Sequence, residues 1–265
     1  MQTLPTLFLS HGSPMHAVNA GKAGESWAAL AKALPVPKAV LVITAHWESN
    51  LPMLSGNAKP SMIYDFGGFP DELYKIVYAA PGAPDVAARA QELLKGAGIT
   101  AGIDGCRGMD HGTWVPLLKM FPDADVPVVQ LSVQPAMNPR HHYAVGLALA
   151  PLAREGVLIV GSGHLTHNLR DWMTSRNQSG KSAYAVQFQH WVHDHLDSQD
   201  IDALTRYRQL APEAVRAHPT EEHFLPLFVA LGAAGLGARA EQVFDGFEGA
   251  ALAMDAYRFR QQPAG

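Results

Sequence analysis

Four short runs of apolar, β-branched-rich sequence, at residues 5–10, 38–46, 126–133 and 156–161, are separated by Ala/Leu-rich stretches of helical period. Each run is continuously apolar rather than alternating, as in strands covered on both faces by helices. The order of runs and helical stretches therefore predicts an α/β fold with a mostly parallel central sheet flanked by helices. Helices are expected at 24–33, 84–97, 112–120, 139–154, 182–197 and 221–233. Asn138-Pro139 reads as an N-cap followed by proline at the first helical position, and Pro219-Thr220 as the start of the last helix. Weaker strand signals lie at 72–79 and 98–104, and 52–71 reads as a long irregular loop whose aromatics Tyr64, Phe66 and Phe69 argue against disorder.

At 265 residues, with 48% hydrophobic and 17% charged residues, a single domain spanning 1–265 is expected. The formal net charge of −4 leaves no electrostatic footprint for nucleic acid or an anionic membrane surface. No apolar run reaches bilayer length. One cysteine, Cys106, forbids an intrachain disulfide, and the amino terminus lacks the basic and apolar regions of a signal peptide, so a cytoplasmic protein is expected.

The carboxyl ends of parallel strands share one rim, where residues distant in sequence converge. Five histidine-bearing segments are placed for that rim or for a helix mouth: Ser10-His11-Gly12, Ala45-His46-Trp47, Asp110-His111-Gly112, Gly163-His164-Leu-Thr-His167 and Glu222-His223-Phe224. His11 and His46 follow strands directly and read as metal ligands. His223, in the first turn of a helix capped by Thr220, would stay neutral beside the positive helix end, and Glu222 beside it is an alternative donor; spacing does not choose between them. Of His164 and His167, one is expected to face the site, the Gly161-Ser-Gly163 turn giving backbone room. For His111 a role in the site and a loop pairing with Asp110 weigh about evenly. His16, His141, His142, His190, His193, His195 and His218 read as structural or solvent-facing. The sequence contains no G-x-S-x-G elbow, P-loop or paired-cysteine zinc motif. A histidine-rich, thiolate-free donor set suits Fe(II) or Zn(II).

These segments, with the loop Ile63-Tyr-Asp-Phe-Gly-Gly-Phe-Pro70 and His218-Pro-Thr-Glu-Glu-His223-Phe-Leu-Pro-Leu, resemble the 4,5-DOPA extradiol dioxygenase family, class III extradiol enzymes related to the protocatechuate 4,5-dioxygenase catalytic subunit. The resemblance runs in order along nearly the whole chain. It implies that His11, His46 and His223 bind Fe(II), with Zn(II) possible in purified protein. It further implies that His167 is the acid–base residue, at times described as a fourth metal-site residue, and that His111 is a second catalytic histidine donating a hydrogen bond to oxygen or developing charge. His164 becomes a bystander and Glu222 a reserve ligand. The implied substrates are a DOPA-like catechol and O2, with a homo-oligomer as a possible assembly. Trp47, Tyr64 and Phe66 offer aromatic walls for the ring, weighing about evenly with ordinary loop anchoring, and Ser13 is a further candidate contact. The competing expectation is a Memo-like, non-oxidative protein of the same fold; the complete three-histidine set together with His167 favours the enzyme.

Overall fold

The strands alternate their apolar side chains between two cores. In β2 (Ala39–Glu48), Val40 and Val42 enter one core while Leu41 and Ile43 enter the other. In β6 (Val157–Gly163), Leu158 and Val160 share the first core and Val157 and Ile159 the second. Both faces are dry, which is why these strands read as unbroken apolar runs.

The computed structural model describes residues 3–175 and 180–261. Its strands are β1 (Thr6–Ser10), β2, β3 (Met53–Ser55), β4 (Gly102–Asp104), β5 (Val128–Val133), β6, β7 (Arg239–Phe244), β8 (Phe247–Glu248), β9 (Leu252–Ala253) and β10 (Ala256–Arg260). An eight-stranded sheet runs in the order β4-β3-β5-β2-β6-β1-β10-β7, and β8 and β9 form a separate small pair. The central strands β5, β2, β6 and β1 are mutually parallel, whereas β3 meets β5, and β10 meets β1 and β7, antiparallel. The expected α/β architecture with a mostly parallel centre is what forms. Among the described residues no helix is long and apolar enough to cross a membrane.

Several local expectations are corrected. Residues 72–79 form no strand: Leu73–Lys75 is a short 3₁₀ turn. Leu73 and Tyr78 are buried there, with the Tyr78 hydroxyl donating to the Phe121 carbonyl at 3.0 Å, so apolar anchoring replaces strand pairing. The last apolar helix spans Leu225–Ala233, not 221–233, and Thr220 does not cap it. All nine of its residues are buried, as expected of a helix hydrophobic all round. The expected helix 139–154 breaks into Pro139–Leu149 and Pro151–Arg154, because Pro151 cannot continue the hydrogen-bond ladder. Asn138 does cap the first piece, its side chain accepting from the His141 amide at 3.0 Å.

Two histidines outside the rim predict an acid response. Burial lowers His142 and His218 to about 4 from an ordinary 6.5. A depressed folded-state pKa means that the unfolded chain takes the proton first, so the stability each contributes is complete above about 6.5 and lost as pH falls toward 4. Each represents ~3 kcal/mol once both states are protonated. Burial raises Asp255 to about 7, which works the other way over the same window and offsets roughly one histidine. His11, His164, His167 and His223 are also lowered and add to the loss. Metal-free protein is therefore expected to melt at progressively lower temperature as pH falls below 6.5; a flat pH–melting profile would contradict this.

Candidate metal centre

Register brings the histidines together. Ser10 lies opposite Gly163, and Thr44 opposite Ser162, so the residues that follow β1 and β6 meet the last turns of β2 at one level of the sheet. Gly12 takes φ of +68°, a conformation glycine adopts without strain, and its amide donates to His164 Nε2 at 3.1 Å. His223 arrives from the other side, in the turn before the Leu225–Ala233 helix. The carbonyl of His223 accepts from the His164 amide at 2.8 Å. That approach is possible only because residue 163 is glycine: a Cβ there would lie 2.1 Å from the His223 carbonyl oxygen. Gly163→Ala is expected to cost about 1–3 kcal/mol of stability and to weaken metal binding by pushing His223 away, readable as a lower melting temperature and a reduced metal content.

His218 secures the same segment. Its buried ring donates from Nε2 to the Leu165 carbonyl at 2.8 Å and stacks on Phe224, with ring centroids 4.9 Å apart. The Ala217 carbonyl accepts from the His167 amide at 2.8 Å. The strap of residues 217–223 thus carries His223 and pins the loop that carries His167. Their imidazoles stack at 3.5 Å with 12° between planes.

Which ring nitrogens are free to ligate follows from the partners of the others. The Ser162 hydroxyl donates to the Gly112 carbonyl, so its oxygen must accept from His11 Nδ1, 3.1 Å away. His46 Nδ1 lies 3.1 Å from Asp65 Oδ2, and His223 Nδ1 lies 2.9 Å from Glu222 Oε1. Carboxylates only accept, so these Nδ1 atoms also carry the proton. In neutral rings all three Nε2 atoms are then left with lone pairs. Those of His11 and His46 are 3.1 Å apart. Ligand atoms of His11, His46 and His223 lie within 4.8 Å of one another. Lone pairs held so close repel unless a cation sits among them, and imidazoles held from behind by carboxylate or hydroxyl partners are a usual arrangement at metal sites. Burial, and then the neighbouring histidines, holds His11 and His223 well below the ordinary value, which keeps them neutral for ligation. The donor set fits a divalent cation.

Glu222, read from sequence as a reserve ligand, lies behind His223 and also accepts from the Thr220 hydroxyl at 3.0 Å. His111 opens the helix His111–Met120, its ring 4.0 Å from that of His46. Its partner is not Asp110, which caps that helix by accepting from the Thr113 amide, but Asp65, 2.9 Å from Nδ1. Burial alone would raise Asp65; the hydrogen bonds from His111 and His46 overcome it and hold the carboxyl well below the usual range. Burial, followed by His46, lowers His111 despite Asp65.

Among the expected substrate contacts, Phe66 meets His111 edge to face at 5.7 Å. The Tyr64 hydroxyl is committed to the Ile76 carbonyl at 2.8 Å, and its ring packs near Phe66 and Trp114. Strand alternation sends Trp47 to the face opposite His46. The Arg107 guanidinium lies over its indole, 4.8 Å from the centroid. Ser13 precedes a 3₁₀ turn, and its carbonyl bonds His16 Nδ1. The sequence reading missed Asp65 and Ser162; an acid between two aromatics in an otherwise uncharged stretch of loop was the available signal for the first.

Comparison with known proteins identifies the family. Residues 5–254 match the family described as the catalytic LigB subunit of aromatic ring-opening dioxygenase. A Beta vulgaris protein named 4,5-DOPA dioxygenase extradiol is 43% identical over 259 residues, covering 96% of each chain. One of the same name from Escherichia coli K12 is 39% identical over 232 residues, 87% of this chain and 85% of that one. A crystal structure of an uncharacterized protein from Escherichia coli K12 superposes with a TM-score of 0.81 at 33% identity, covering 96% of this chain and 99% of that one. Carrying a histidine-rich rim on a fold and sequence shared end to end with these proteins, the chain belongs to the LigB family and is an extradiol aromatic ring-opening dioxygenase.

Proposed function

We propose that this enzyme opens the ring of a catechol of DOPA type, using ferrous iron held by His11, His46 and His223. The observation that carries the reading is the convergence of His11, His46 and His223, whose ligand atoms lie within 4.8 Å of one another, each ring having a polar partner at Nδ1. The imidazole set accommodates zinc as well, but zinc has no redox chemistry and dioxygenation requires it. When bound, ferrous iron supplies Lewis acidity toward the two catechol oxygens and an electron path between ring and dioxygen. The names of the plant and bacterial relatives support DOPA as the type of substrate.

The chain's own residues handle the protons. Burial, then His218, lowers His167 to about 3, so its ring is neutral and able to accept. An anionic catecholate beside it would offset the cost of burying the imidazolium that results. His167 thereby takes a hydroxyl proton on binding and returns it as the ring opens. Phe66 offers its ring as a wall for the catechol, with Tyr64 and Trp47 bracing the surrounding loops.

Metal-free protein loaded anaerobically with Fe(II), then given air and L-DOPA, is expected to consume oxygen and form a yellow ring-opened product. No oxygen uptake across a panel of catechols would overturn the reading.

A further inference from the structure

One carboxylate serves two histidines of the rim. Asp65 Oδ2 lies 3.1 Å from His46 Nδ1, and Oδ1 lies 2.9 Å from His111 Nδ1 and 3.0 Å from the His111 amide. Asp65 reaches in from the loop that also carries Phe66, so this loop is latched to the centre through the side chain.

We propose that Asp65 is a positioning residue that fixes both His46 and His111 as Nδ1–H tautomers, presenting a ligand lone pair on His46 and an acceptor, rather than a donor, on His111. The proposal rests on His46 being a ligand only for its consequence in metal affinity. An ionised carboxylate has no proton to give, so each imidazole in contact with it must donate. In a neutral ring that leaves Nε2 unprotonated. For His46 this is the form that ligates, and the carboxylate makes the ring more basic. For His111 it means that the neutral ring accepts a hydrogen bond from a substrate hydroxyl and can donate one only after taking a proton. His111 would then be a second proton acceptor beside His167, not the oxygen-stabilising donor implied by family resemblance. Fixing both rings with one group also ties the orientation of His111 to that of His46, whose ring centroids are 4.0 Å apart.

Asp65→Asn isolates the effect. The amide keeps one oxygen, which can still accept from the His111 backbone amide and preserve the helix start. Its NH2 cannot accept from the second imidazole, so one ring must change tautomer. Nitrogen NMR of the histidine rings in metal-free protein reads this without any turnover. The wild type is expected to show Nδ1–H on both His46 and His111, and Asp65→Asn to lose it from one of them. Zn(II), used as the probe metal, is expected to bind Asp65→Asn about 10–100-fold more weakly. Asp65→Glu, which keeps two acceptor oxygens, should recover part of that loss. Retention of both Nδ1–H signatures in Asp65→Asn overturns the proposal whatever the metal affinity. Wild-type protein that bound no Zn(II) would instead defeat the three-histidine metal reading, and the tautomer comparison would still decide the role of Asp65.

Discussion

Replacing His223 with alanine is expected to abolish stoichiometric metal binding and to lower ring opening by ~10³-fold or more, because losing one of three imidazoles forfeits several kcal/mol of charge stabilisation at the metal. His223 is buried, and its Nδ1 is committed to Glu222. Glu222→Gln makes the informative comparison. A carboxylate acting from behind the ligand should cost only about 10–100-fold in metal affinity. If Glu222 were itself the third ligand, the two effects would be reversed, with the glutamine variant metal-free and the alanine variant still loaded. Metal content by elemental analysis, beside oxygen uptake, separates the two outcomes.

The second large effect is expected at His167. Alanine there should leave the metal in place and reduce kcat by roughly 10²–10⁴-fold, the range for removal of a general acid–base group. The stacking of His167 on His223 makes the metal measurement essential. His167, Glu222 and His223 also form a group whose ligand atoms lie within 4.8 Å of one another. A metal-free alanine variant would therefore make His167 a ligand, whereas a loaded and inactive one assigns it to proton transfer. External imidazole restoring part of the rate to the loaded variant would strengthen that assignment.

The parts of the fold legible in the sequence are those whose cause is local. The central strands were readable because burial on both faces demands unbroken apolar runs, and Asn138 because an N-cap is a property of a few consecutive residues. His11 and His46 were legible as rim residues because one directly follows a central strand and the other lies two residues before the end of another. The carboxyl-terminal strands β7 and β10 were overlooked, although Tyr257 and Phe259 alternate with Arg258 and Arg260 in the period-two pattern of a strand. Residues 72–79 misled because a buried loop anchor and a strand use the same side chains; only a pairing partner distinguishes them.

Sequence by itself determined the α/β class, the rim on which chemistry would gather and the histidines available to it, since strand periodicity and strand ends are written in neighbouring residues. Tertiary structure alone decided which partner stands behind each ring. Ser162 stands behind His11, Asp65 behind both His46 and His111, and Glu222 behind His223, each within hydrogen-bond distance of a ring Nδ1. Ser162 and Asp65 are distant in sequence from the rings they hold, and a hydrogen bond across 151 residues leaves no local pattern to read. Even for Glu222, adjacent in sequence to His223, only the fold shows its carboxylate 2.9 Å from the ring's Nδ1.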